Sequence, residues 1–265
     1  MHTVPNAHKR YMPTDHDAGA LNLLTNEQRT SLDSQGFVIL QGLSTLQWLQ
    51  EVRARLEELV ELEGADQVLR PSVRTEFHRE PGCLRVPDLV NKGAVFDRAW
   101  LAPQVLACVH HVLQRPFKLS ALSYREPCRG GGAQGLHADW DPRSSRTHYE
   151  VVNAVWAIDD FNEHNGALRL VPGSHQRIDA PGSIQSDAPA PNPEITVRVP
   201  AGSVVVMNAH TWHAGGANTS GERRRSLHAY FCGREHAQQL NQREYLRKST
   251  WERLTPHARY LLDVS

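Results

Sequence analysis

The stretch Tyr149-Glu-Val-Val-Asn-Ala-Val-Trp-Ala-Ile158, followed by Asn165-Gly-Ala-Leu-Arg-Leu-Val171 and Pro172-Gly173, decides the fold class. Its apolar residues are largely β-branched or aromatic, come in short runs, and stop at Asn-Gly and Pro-Gly turn dipeptides. Similar runs over 117–124, 195–199, 203–207 and 226–231 predict further short strands. Upstream the apolar period becomes helical. Thr25-Asn-Glu-Gln28 reads as a capping box opening a short helix that Gly36 ends, and Phe37–Leu40 as a short strand. Leu49, Val52, Leu56 and Leu59 share one face of a second helix running from Ser44 to about Gly64. A third helix is expected over about 103–115, closed by Pro116, and a last one over 251–262. Helices first and many short strands afterwards predict a mainly β chain with flanking α. Its core would be a double-stranded β-helix (jelly-roll, cupin-like) preceded by N-terminal helices. No linker composition interrupts the chain, so one domain over 1–265 is expected, with 1–24 an irregular arm.

Composition narrows the function. The 265 residues carry 29 Lys+Arg against 29 Asp+Glu, and this balance argues against a nucleic-acid or anionic-membrane binder. No apolar run is long enough to span a bilayer, and the N-terminal residues hold no apolar signal-like segment. The four cysteines are scattered without a C-x-x-C pair, so neither a disulfide framework nor a cysteine zinc site is expected, and a reducing, cytoplasmic setting is. Histidine, with 15 residues against 18 glycines, is the unusual abundance, and imidazole is the commonest metal ligand.

Three pieces in order give that abundance a focus. His137-Ala-Asp139 sits in a strand-like segment, where residues i and i+2 share a face and can offer a nitrogen and a carboxylate oxygen to one ion. Asp141 shares that face too, although Pro142 marks it as the start of a turn. Downstream, Asn208-Ala-His-Thr-Trp-His213 follows the strand 203–207 and places His210 or His213 at a sandwich mouth. Two histidines and one carboxylate form the facial triad of non-haem Fe(II) oxygenases. Third comes Arg224, at the start of the next strand, where a guanidinium can grip a carboxylate bidentately.

His137-x-Asp139, then Trp156-Ala-Ile-Asp-Asp, then Asn165-Gly-Ala-Leu-Arg-Leu-Val-Pro-Gly-Ser-His175, then His213 with Asn218 and Arg224, together resemble the phytanoyl-CoA dioxygenase family. The resemblance runs from about Gln28 to Tyr230. It implies an enzyme that uses Fe(II), 2-oxoglutarate and O2. It further implies that His137, Asp139 and His213 bind iron, that His213 rather than His210 is the distal ligand, and that Arg224 pairs with the C5 carboxylate of 2-oxoglutarate. Gln134 and Trp156 match positions that line the 2-oxoglutarate pocket. Asn153 would then face away from it, because residues three apart on a strand point to opposite sides. Arg223 and Arg225 are expected to be solvated, and His175 to be structural. Asp139 itself implies hydroxylation, desaturation or cyclisation, since related halogenases replace this carboxylate.

Two other readings stay open at this level. One is a zinc hydrolase or lyase on the same ligands, and the other a non-catalytic jelly-roll binding protein. The substrate is expected to be a small molecule. Nothing in 65–95 or in Gly130-Gly-Gly132 resembles an acyl-CoA site, while Arg74, Arg79 and Arg85 are candidates to meet an anionic group over the metal.

Overall fold

A computed structural model describes residues 23–63, 80–140, 148–178, 181 and 192–264; residues 1–22 of the expected N-terminal arm, Arg74, Arg79 and Asp141 lie outside them. Helix α1 (Asn26–Gln35) starts at the expected capping box. The Thr25 hydroxyl accepts from the Gln28 N–H at 3.2 Å, and the Thr25 N–H donates to the Gln28 side chain at 2.9 Å. Gly36 ends it at φ 84°, and a Cβ there would lie 2.4 Å from the Thr211 hydroxyl and 2.5 Å from the His175 ring. That position therefore requires glycine for both its backbone and its surroundings. Strand β1 (Phe37–Leu40) follows, then α2 (Leu46–Glu63), whose Trp48, Leu49, Val52, Leu56 and Leu59 are buried as the spacing predicts.

The remaining strands are β2 (Cys83–Val86), β3 (Phe117–Pro127), β4 (Val151–Ala157), β5 (Leu168–Leu170), β6 (Ile195–Thr196), β7 (Val204–Asn208), β8 (His213–Gly215) and β9 (Ser226–Gly233). They form two antiparallel sheets, ordered β1-β7-β4-β9-β3-β2 and β6-β5-β8. Strand alternation divides the large sheet into two faces. One carries Ala154, Trp156, Val206, Leu227 and Phe231 and packs on α2 and on α4 (Pro103–Leu113) in the main hydrophobic core. The other carries Val155, Ala157, Val205 and Met207 and packs on Leu168 and Leu170 of the small sheet. This is the predicted sandwich with flanking helices.

Several elements depart from expectation. Strands β2 and β8 were not predicted, because each is short and lacks an apolar alternation. Between β2 and α4 the chain makes two 3-10 turns and the short helix α3 (Asp97–Leu101). The predicted strand over 195–199 shortens to two residues. Beyond the sheets, α5 (Gln242–Tyr245) precedes α6 (Lys248–Arg253) and α7 (Pro256–Leu261), which replace the single helix expected over 251–262. Pro256 has no N–H and disfavours helical geometry in Thr255, which instead caps α7 through its hydroxyl. No described helix is long and apolar enough to cross a membrane.

Candidate active site

The segment before Trp140 adds itself to the free edge of β8. Gln134 N–H donates to Gly215 O at 3.0 Å, Asp139 N–H to Ala209 O at 2.8 Å, and His137 and His213 exchange both backbone hydrogen bonds at 2.9 and 2.8 Å. Directly opposed residues of an antiparallel pair bring their side chains together, so the two imidazole centroids lie 4.4 Å apart. Asp139, two residues from His137, joins them on the same face. Its Oδ1 is 3.6 Å from His137 Nε2 and 3.4 Å from His213 Nε2. One ligand atom from each residue fits within 4.8 Å of the other two.

Backbone carbonyls orient both rings. His137 Nδ1 lies 2.9 Å from Gly135 O and His213 Nδ1 lies 2.8 Å from Thr211 O. A carbonyl can only accept, so each Nδ1 carries the proton and each Nε2 presents its lone pair to the triad. Burial opposes ionisation of Asp139, but His213, His137 and the Asn153 amide together hold its carboxyl below the usual range. The same carboxylate outweighs burial at His213 and raises its pKa, whereas burial and His213 lower that of His137. Tyr230 fixes the main chain there by donating its hydroxyl to Asp139 O at 3.2 Å.

A cavity of about 150 Å³ runs inward from this triad between the sheets, and Arg224 lies along it. The Arg224 side chain is 1% exposed and faces the Phe161 ring at 4.1 Å. It donates from Nη1 to Ser226 Oγ at 3.2 Å, and Ser226 Oγ donates to Arg125 O at 2.9 Å. Its Nε has no hydrogen-bond partner, and burial beside Arg125 pulls its pKa below the usual range for arginine. A buried cation without a carboxylate is costly alone, so this position suits a bound anion.

Other predicted residues divide. Gln134 lines the cavity, and its Oε1 accepts from Gly215 N–H at 2.8 Å. Trp156 does not line it. Alternation in β4 turns its indole to the helix-packed face, where Nε1 donates to Ala99 O at 2.9 Å and the ring meets Trp48 at 5.1 Å. Asn153, on the opposite face, takes the place beside the ligands instead. Ser226 was not anticipated, although its position two residues after Arg224 on one strand face was a usable signal. His175 is buried against Asp33 O, and His210 Nε2 accepts from the Glu150 N–H at 3.1 Å, outside the triad. Arg223 and Arg225 are not simply solvated: they pair with Glu126 and Asp159, and Arg225 is buried. A second cluster of possible ligands, Glu150, Glu235 and His236, is occupied by Arg115, which forms ion pairs with both glutamates.

The donor set fits the metal and co-substrate that the sequence resemblance implies. Two neutral nitrogens and one carboxylate on one face leave the opposite side open for further ligands, as an Fe(II) facial triad requires. The buried Arg224 supplies a cation for a dicarboxylate's far end.

Comparison with known proteins identifies the family. The sequence model of the phytanoyl-CoA dioxygenase (PhyH) family matches residues 32–226. The uncharacterized protein Rv1501 of Mycobacterium tuberculosis is 37% identical over 106 residues, which are 40% of this chain and 37% of that protein. Dioxygenase af480 of Aspergillus fumigatus is 27% identical over 190 residues, 70% of this chain and 60% of its own. The chain thus spans less than two thirds of the length of these relatives. Among solved structures, HygX from Streptomyces hygroscopicus with nickel, 2-oxoglutarate and hygromycin B bound aligns with a TM-score of 0.64. It is 20% identical, covering 81% of this chain and 90% of HygX. The epimerase SnoN from nogalamycin biosynthesis aligns at 0.63 with 22% identity, covering 82% of each chain. At these identities the structures establish a shared fold.

Proposed function

The chain belongs to the phytanoyl-CoA dioxygenase family, and from that premise we propose that it is an Fe(II)- and 2-oxoglutarate-dependent oxygenase acting on a small organic molecule. The observation that carries the reading is the pairing of an oriented His137–Asp139–His213 triad with a buried Arg224 that has no carboxylate partner among the described residues, in one cavity. Bound Fe(II) would supply the chemistry that couples decarboxylation of 2-oxoglutarate, with O2, to oxidation of a substrate, yielding succinate and CO2.

The protein's own part is binding, orientation and exclusion of water. His137, Asp139 and His213 would hold the metal through Nε2, a carboxylate oxygen and Nε2. Asn153 and Tyr230 keep Asp139 in place. Arg224, steadied by Ser226, takes the C5 carboxylate of 2-oxoglutarate, and Gln134 walls the same cavity. Burial strengthens the Arg224–carboxylate attraction, because little water screens it. His228 lies beside Arg224, and burial with the nearby guanidiniums drives its pKa well below the ordinary value, so it stays a neutral neighbour. Hydroxylation, or a related desaturation or cyclisation, is the outcome we assign, since the Asp139 carboxylate is retained.

The test is succinate formation. With Fe(II), 2-oxoglutarate and O2, purified protein should release succinate, slowly without substrate. His213→Ala should release none. Equal succinate from both proteins would sink the reading.

A further inference from the structure

We propose that the substrate carries a carboxylate or similarly compact anion, and that Arg85 is the residue that receives it; the inference rests on the co-substrate reading of Arg224. Arg85 lies on β2, directly opposite Arg125 of β3, and its side chain lines the same cavity as the triad. The two guanidiniums share one carboxylate. Arg125 takes most of it, donating from Nε to Glu80 Oε2 at 3.0 Å and from Nη2 to Oε1, with a further bond to Gly132 O at 2.8 Å. Among the described residues, Arg85 reaches Glu80 through Nη1 alone, at 3.0 Å, and its Nε is buried without a hydrogen-bond partner.

Charge counting at this corner leaves one cation over. Glu80 cancels one of the two arginines. Cys83 is adjacent, but burial pushes its thiol up to about 11, so it remains neutral. Asp139 acts on Arg85 only from a distance and belongs to the triad. No other carboxylate lines the cavity among the described residues. The surplus charge is not a second seat for 2-oxoglutarate, because depth separates the two positions. Arg224 is 1% exposed at the floor, whereas the Arg85 side chain is 31% exposed, like the open His137 side of the triad. A molecule arriving after the co-substrate therefore meets Arg85 first. Partial burial makes the guanidinium a stronger partner for a carboxylate than a surface arginine would be.

Benzoate and the isosteric neutral benzamide are suitable probes, with Mn(II) in place of Fe(II) so that no turnover occurs. Calorimetric titration of the protein loaded with Mn(II) and 2-oxoglutarate should show saturable benzoate binding and none of benzamide. Arg85→Gln should weaken benzoate at least tenfold while weakening 2-oxoglutarate less than threefold, and Arg85→Lys should restore most of the benzoate affinity. In wild-type protein, benzoate should also protect Arg85 from phenylglyoxal, read by peptide mass spectrometry, which needs no variant to fold. Absence of benzoate binding, equal binding of benzamide, or no protection of Arg85 would overturn the proposal. A tenfold loss of 2-oxoglutarate in Arg85→Gln would overturn it by giving Arg85 to the co-substrate. If 2-oxoglutarate itself fails to bind the Mn(II) protein, the co-substrate reading falls first and separately.

Discussion

Arg224 donates to Ser226 Oγ at 3.2 Å and, among the described residues, to no carboxylate, although its side chain is sealed between the two sheets. The cation is therefore kept in place against its own solvation. Replacing it with an apolar group of similar length should relieve that strain. We expect Arg224→Met to raise the Tm of the metal-free protein, by about 1–2 kcal/mol of stability, and to weaken 2-oxoglutarate by roughly tenfold to a hundredfold. Thermal unfolding and calorimetric titration of the variant check the two arms. A variant both less stable and equally good at binding 2-oxoglutarate would contradict the assignment.

Asn153 supports Asp139 from β4 of the other sheet, and groups that orient metal ligands typically carry a tenfold to hundredfold share of metal affinity. Asn153→Leu should weaken Mn(II) binding by about that factor while leaving the fold intact. Competitive titration against a chelating dye measures it. Unchanged affinity would remove Asn153 from the site.

Trp156 and Asn153 also show where legibility in the sequence ended. Both lie on β4, and the period-2 rule correctly places them on opposite faces. What the period cannot say is which face meets the helices, because every residue of β4 is buried and no polar face marks the outside. The resemblance pointed to Trp156, whereas Asn153 is the one that lines the cavity. By contrast, His137 and Asp139 were legible because residues two apart on a strand share a face, whereas His213 was singled out over His210 only by the family resemblance, since its pairing with His137 is long-range. Arg85 was visible as a loop arginine, yet β2 itself was not, since Cys83-Leu-Arg-Val86 is too short to alternate. Its placement depends on pairing with distant β3.

Trp156→Phe should thus separate stability from co-substrate binding. Losing the indole N–H leaves the Ala99 carbonyl unpaired in the core, which costs roughly 1–3 kcal/mol. The Tm should fall by several degrees and the affinity for 2-oxoglutarate should not change. A co-substrate defect at full stability would reverse the correction.

Asp159 anchors the entry to β9 by pairing with Arg225 at 2.8 Å and Arg53 at 3.2 Å. Burial opposes its ionisation, but the Arg225 hydrogen bonds and charge win and lower its pKa from 3.8. A lowered folded-state pKa contributes stability above the unfolded value and loses it as pH falls through the folded one. Asp159→Asn should cost about 1–2 kcal/mol at pH 7, less than a dry ion pair because solvent reaches the carboxylate. The gap between variant and wild type should close as pH drops below 3.8. Denaturant unfolding from pH 3 to 7 measures this, and a gap that widens in acid would contradict it.

The most direct test of the site as a whole is anaerobic addition of Fe(II) and then 2-oxoglutarate to the wild-type protein, followed by absorption spectroscopy. Joint binding at His137, Asp139, His213 and Arg224 predicts a weak visible charge-transfer band that saturates at one equivalent of each and is absent in His213→Ala. No band in the wild-type protein, or an equal band in His213→Ala, would contradict the account.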